Sequence, residues 1–310
     1  MALVVRELNA ADLADTRRIM NLAFGTFIGV PDPANFFGDM DYAGTRFDAP
    51  HTAAYVAEED GRIWGTNFAT RWGSVAFFGP LSVDPEAWDR GIGKKLLAPV
   101  LDTFSQWRAT LRGLYTFPQS AKHVGLYHSH GFHPRFLTAV MSGVAQVSRP
   151  SNWVRFTQLS ESEKATALRA LAQLCDSVYP GLDLSDEIKH GAANEHGDTV
   201  ILGDPAKPDG FAVCHCGPNT EAGSNRCYVK FAAVRPGDAD AFRRLLCACS
   251  AYAAEEGVKY YVAGVNTARD EAYRIMRGLG MRTQMQGVIM HAPNIPGYSD
   301  SGHFVIDDWR

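Results

Sequence analysis

Leu81-Ser82-Val83-Asp84-Pro85, followed by Trp88-Asp89-Arg90-Gly91-Ile92-Gly93-Lys94-Lys95, is the stretch on which the reading of this chain turns. A short apolar run stops at Asp-Pro, and a glycine-punctuated turn follows. From Ile92 onward Leu96, Leu97, Val100, Leu101 and Phe104 recur at helical spacing. The stretch therefore reads strand, turn, helix. The first N–H groups of a helix have no carbonyl partner within it and carry the positive end of its dipole, so such a junction attracts anions. Gly91 and Gly93 allow the backbone to approach a phosphate without a Cβ in the way, and Lys94 and Lys95 add positive charge beside it. The plain alternative is an ordinary helix start with solvated lysines.

Outward from this turn, residues 53–57, 62–69 and 74–83 read as three successive strands, with turns at Glu59-Asp60-Gly61 and Arg71-Trp72-Gly73. After the helix come a short strand at 114–117, a helical stretch at 123–130 closed by Gly131, and a strand at 136–144. The same order returns about 150 residues later, the signature of a tandem duplication: strands at 199–202, 210–216 and 227–234, a helix at 239–256, a strand at 260–265, a helix at 271–278 and a strand at 286–291. Gly280-Met281 stands where Gly131-Phe132 stood. Val147-Ser148-Arg149-Pro150 marks the boundary, since proline cannot donate to a sheet. The expected domains are 1–148 and 151–310. The second copy lacks the glycine turn: its equivalent reads Gly237-Asp238-Ala239-Asp240-Ala241, where carboxylates would repel phosphate, and Met276 replaces Tyr127.

The chain has 310 residues, 46% hydrophobic and 21% charged, with a formal net charge of −4, which suits two globular domains and gives no basic stripe for nucleic acid. No apolar run reaches bilayer length and the N-terminal one is too short for a signal peptide, so a cytoplasmic protein is expected. The six cysteines all lie beyond residue 174 without a C-x-x-C pair, and read as small buried residues; the first half has no cysteine nucleophile. His123, His128, His130 and His133 cluster in sequence, but His128 and His130 are two apart on a helix and cannot face a common metal.

The 81–97 turn, together with Leu126-Tyr127-His128-Ser129-His130-Gly131-Phe132, resembles the GNAT family of N-acetyltransferases, with its Q/R-x-x-G-x-G/A turn and later L-Y-x-x-x-G-F element. The resemblance covers most of residues 1–146 in layout, and the second half in layout only. It implies an α/β (α+β) fold of two tandem GNAT-like domains, each a mixed, mostly antiparallel twisted sheet flanked by helices, the second degenerate. It further implies transfer of an acetyl group from acetyl-CoA, as cosubstrate and without a metal, to a primary amine of a small molecule by direct attack. Leu81, Ser82, Val83, Trp88, Asp89, Arg90, Gly91, Ile92, Gly93, Lys94, Ser120 and His123 then fall on the cofactor side, and Tyr127 on the general acid that protonates the leaving thiolate. Trp88 and Ser120 depart from the family's usual Gln/Arg and Asn. Backbone N–H groups at the end of 81–83 are the oxyanion candidates. No base is identified: Glu58, Glu59 and His51 are candidates, while a water chain or an amine that arrives partly neutral would need no residue. The segment 24–47, a loop with Asp32, Asp39 and Asp41, would line the acceptor. The alternative is a non-catalytic acyl-CoA-binding sensor or interaction protein. Neither nucleic acid nor membrane is expected as a partner.

Overall fold

The computed structural model describes residues 2–147 and 152–310, so the expected boundary at Ser148, Arg149 and Pro150 lies outside the described residues. The first half runs β1 (Val4–Glu7), α1 (Leu13–Ile28), α2 (Tyr42–Phe47), β2 (Thr52–Glu59), β3 (Arg62–Trp72), β4 (Val75–Phe78), β5 (Ser82–Val83), α3 (Ile92–Gln106), β6 (Leu111–Thr116), α4 (Ala121–His128) and β7 (His133–Val144). The second half runs β8 (Trp153–Arg155), α5 (Glu161–Val178), α6 (Ser185–Ala193), β9 (Gly197–Asp204), β10 (Lys207–Gly217), β11 (Gly223–Val234), α7 (Ala239–Glu255), β12 (Tyr260–Asn266), α8 (Asp270–Gly278), β13 (Arg282–Ala292) and β14 (Val305–Ile306).

Every element expected from the repeat is present, but the expected strand at 74–83 is broken. Pro80 has no N–H to donate, and after Phe78 the chain leaves β6, its parallel neighbour, to pair with β3 as β5. The segment 24–47 is not one loop. It holds the last turn of α1, which stops at Gly29 in the left-handed region, then a 3₁₀ turn at Pro33–Asn35 and α2. α5, absent from the repeat pattern, starts on a capping box in which Ser160 and Glu163 satisfy each other's backbone N–H. It buries Ala167, Ala170, Leu171, Leu174, Cys175 and Val178, a stripe at helical spacing.

Both halves contribute to one sheet, in the order β1-β2-β3-β4-β6-β13-β7-β12-β11-β10-β9-β8. Most neighbours are antiparallel; β4/β6 and β11/β12 are the parallel pairs. The closing strands are exchanged. β13, from the second half, inserts beside β6 (Met290 opposite Leu114), while β7, from the first half, pairs with β12 (Val140 opposite Gly264). A shared core follows from this: Trp72, Val75, Phe77 and Leu111 pack with Leu171, Leu174, Ile188 and Phe231. Burial of this kind is worth roughly 25 cal/mol per Å² of apolar surface, so the halves are held as one body by core packing and main-chain pairing, without a hinge of solvated contacts.

Candidate functional site

The first half's parallel pair opens at its carboxyl end. β4 and β6 are in register from Val75–Leu111 to Phe78–Leu114 and then diverge, β5 pairing back on β3 with Gly65 opposite Val83. Asp84 donates its N–H to the Trp64 carbonyl on β3. Successive residues of a ladder point their N–H groups to opposite sides, so Val83 turns its N–H away from β3 and into the splay. The expected oxyanion donors thus face the opening between β5 and β6.

α3 begins at the same mouth. Its N-cap is Gly91 at φ 76°, with no side-chain cap, and Lys95 N–H, donating to the Gly91 carbonyl, is the first to find a partner in the helix. The N–H groups of Ile92, Gly93 and Lys94 precede that bond and have no intrahelical acceptor. No protein atom lies within 4 Å of where a Cβ on Gly91 would sit; one on Gly93 would meet only Leu81 at 3.5 Å and Leu126 at 3.8 Å. Below, the helix closes onto the sheet at Gly65, where a Cβ would lie 2.9 Å from Leu96 Cδ1 and 3.2 Å from Ile92 Cγ2. That close approach aims the uncapped turn at the end of β5.

Tyr127 is buried against Phe78, the last residue of β4 before the splay, with ring centroids 5.5 Å apart. Burial alone raises its pKa above the ordinary phenol value, so the hydroxyl is a proton carrier at neutral pH. His123 is half-buried beside Phe27, ring centroids 5.0 Å apart, and burial, then the charge of Lys122, lowers its pKa. Phe24 and Phe27 of α1 both lie against Phe117, giving the mouth an aromatic wall on the α1 side.

Of the remaining expected residues, Trp88, Asp89, Arg90 and Ser120 have partners within the protein. Trp88 donates its indole N–H to the Val83 carbonyl at 2.8 Å, bracing the strand that carries the oxyanion candidate, a role its place in the motif did not reveal. Asp89 pairs with Lys122, and Arg90 with Glu59 at 2.5 Å. Ser120 caps α4 by accepting from His123 N–H, and Ser82 is buried. Lys94 stays exposed on the first turn of α3. The base candidates are tied up: Glu58 with Arg6 (2.6 Å), Glu59 with Arg90, and His51 at 3.0 Å from Glu187 between the halves. Asp41 caps α2 and pairs with Arg17, and Asp39 accepts from Ser224, so neither faces an acceptor freely. Among the described residues no three or more His, Cys, Asp or Glu side chains are grouped to hold a metal ion, and no helix is long and apolar enough to cross a membrane. All six cysteines are free, four of them buried.

One residue that sequence reading passed over organises this region. Arg46 on α2 is buried; its Nε and Nη2 donate to Glu221 on the β10–β11 turn, Nη1 donates to the Gly79 carbonyl at 2.7 Å, and Nη2 also reaches the Arg310 carbonyl. A lone arginine in a short segment carries no sequence signal; its partners are 33, 175 and 264 positions away.

An open parallel splay with a glycine at the N-cap of the helix at its mouth and a buried tyrosine beneath it is the geometry against which the comparisons with known proteins are set. Residues 17–132 match the acetyltransferase (GNAT) family. The matched segment is similar to that family's domain, and the chain as a whole has a tandem GNAT fold. It is similar to a putative acetyltransferase from Pyrococcus horikoshii, 12% identical with a TM-score of 0.69 over 99% of this chain and 95% of that one. It is also similar to a GCN5-related N-acetyltransferase from Sphaerobacter thermophilus, 15% identical with a TM-score of 0.58 over 93% and 95%. A tandem GNAT protein from the clavulanic acid biosynthesis pathway is 14% identical, with a TM-score of 0.55 over 94% and 98%. At these identities the likeness is one of fold. No curated protein matches the sequence.

Proposed function

We propose that this protein is an acetyl-CoA-dependent N-acetyltransferase acting on a primary amine of a small molecule, with residues 1–148 as the cofactor-binding domain, 151–310 as a second, degenerate one, and the cytoplasm as its place of action. The observation that carries this reading is the coincidence, at one mouth, of the uncapped α3 turn and the open edge of β5. The N–H groups of Ile92, Gly93 and Lys94 would take the diphosphate of CoA, with Lys94 adding charge. The amides of the pantetheine arm would lie along the free edge at Leu81–Val83, as a strand would, and bring the thioester to Val83 N–H. That N–H would stabilise the tetrahedral oxyanion, and Tyr127 would protonate the departing thiolate. The amine must arrive neutral; the carboxylates nearest in sequence are held in ion pairs, so proton loss to water is the simplest route.

Release of free CoA from acetyl-CoA in the presence of a panel of primary amines, with the N-acetyl product identified by mass, tests the reading. Saturable acetyl-CoA binding without amine-dependent release would favour the non-catalytic sensor; no saturable binding would end both.

A further inference from the structure

The second half has its own parallel splay, and it is not empty. β11 and β12 run in register from Arg226–Tyr260 to Val229–Ala263 and then part, as β4 and β6 do beyond Phe78. Gly210 on β10 faces Val234 as Gly65 faces Val83, so β11 beyond Val229 corresponds to the open edge of the first half. In the second half that edge is paired with the chain's own residues 302–307. Gly237 donates to the Gly302 carbonyl at 2.8 Å, Val234 donates to the Phe304 carbonyl, Val305 and Ile306 sit opposite Ala233 and Ala232, and Asp307 donates across the opening to Gly264 on β12 at 3.0 Å. The start of α7 is occupied as well: Asp238 caps it with its own carboxylate on Ala241 N–H, where α3 has bare glycine. Phe304, Val305 and Ile306 are fully buried, the side chains of a packed strand.

The segment does not end there. Asp308 packs on Gly264, where a Cβ would be 2.3 Å from its own, and accepts from Tyr228 Oη at 2.7 Å. Trp309 lies across Gly113 of β6 in the first half, and the Arg310 carbonyl meets Arg46. Arg46 in turn holds the Gly79 carbonyl, at the point where the first splay opens.

The geometry points to a specific role for the second half: residues 302–307 are the permanent occupant of its cofactor groove, and the filled groove anchors 308–310 so that Arg46 fixes the Gly79–Val83 edge of the first half. Arg46 is a positioning residue. It acts on the strand that would receive the thioester, so this inference rests on the cofactor reading of the first splay. The second half then binds no CoA. A ligand would have to break a paired, buried strand and meet Asp238 and Asp240.

Hydrogen exchange on the full chain, read by mass spectrometry with and without acetyl-CoA, tests this. Amides of 232–237 and 305–307 should exchange slowly without ligand, and acetyl-CoA should slow exchange only in peptides of the first half, those spanning 79–95 among them. Acetyl-CoA protection at 232–240 accompanied by faster exchange at 302–307 would overturn the proposal, as would rapid exchange at 305–307 in the free protein. Absence of acetyl-CoA protection anywhere would sink the transferase reading while the 305–307 result still stood for or against the filled groove. Arg46→Lys keeps the charge and loses the fork. It should speed exchange across 77–84 and lower kcat/KM about tenfold, with an unchanged far-UV spectrum. Unchanged exchange across 77–84 would remove the positioning role whether or not an acceptor is turned over.

Discussion

In the first half no strand pairs with the edge beyond Phe78 on the splay side, the helix that follows starts on a bare glycine, and a tyrosine lies underneath. In the second half the matching edge is paired with residues 302–307, the matching helix starts on its own aspartate cap, and Met276 takes the tyrosine's place in the core. The two halves share their strand order and even the glycine that lets the helix approach the sheet. What separates the proposed reaction site from a structural cradle here is which backbone N–H groups have been left without partners. A free N–H at a helix start or strand edge has a binding energy to offer; one already paired has almost none.

The largest expected effect breaks that contrast at the helix start. Gly93→Glu places a carboxylate where the diphosphate would lie, in a helical position where a Cβ makes only ordinary van der Waals contacts, and should weaken acetyl-CoA binding by at least about 100-fold in calorimetry with little loss of fold. Its counterpart, Asp240→Lys, adds positive charge to the first turn of α7, yet should create no second binding event, because that groove is filled. A second event would mean that sequence, rather than occupancy, silenced the second half.

Tyr127→Phe comes next. It removes the hydroxyl and leaves the ring on Phe78, so turnover with the best amine should fall roughly 100-fold while acetyl-CoA affinity moves less than about twofold. Full turnover in the variant would pass the acid role to water or another side chain.

The smallest effect probes the exchanged strands. His291 lies on β13 where it inserts against β6; burial first, and the nearby Arg135 and Arg269 charges further, hold its pKa down to about 4, against an ordinary value of 6.5, although the Ile295 carbonyl opposes the shift. Because the folded value is depressed, the unfolded chain binds the proton more readily between these values. The contribution is therefore fully present above pH 6.5 and lost as pH falls toward 4, up to about 3 kcal/mol. Urea midpoints at pH 7 and pH 5 should differ less in His291→Gln than in the parent. An equal pH dependence in both would place the acid-sensitive group elsewhere.

Local chemistry made much of this protein readable in one dimension. The strand–glycine turn–helix at 81–97, the duplication, and the missing glycines of the second copy depend on residues close together in sequence, where spacing and side-chain type act directly on the backbone. The break at Gly79-Pro80 was hidden inside a continuous apolar run, because leaving one strand for another depends on the neighbours. Trp88 departs from the motif, and its bond to Val83 emerges from a turn geometry that the motif does not encode.

By itself the sequence determined which elements form, that they form twice, and which turn could cradle a phosphate, since these follow from periodicity and from glycine's lack of a Cβ. Only the tertiary structure decided that the closing strands change places, that residues 302–307 fill one splay and leave the other open, and that Arg46 ties Gly79 to Glu221 and Arg310 of the second half. Those choices are pairings between backbone groups far apart along the chain. Any strand of suitable pattern can satisfy an edge, and which one does so is settled by the packing of the whole sheet.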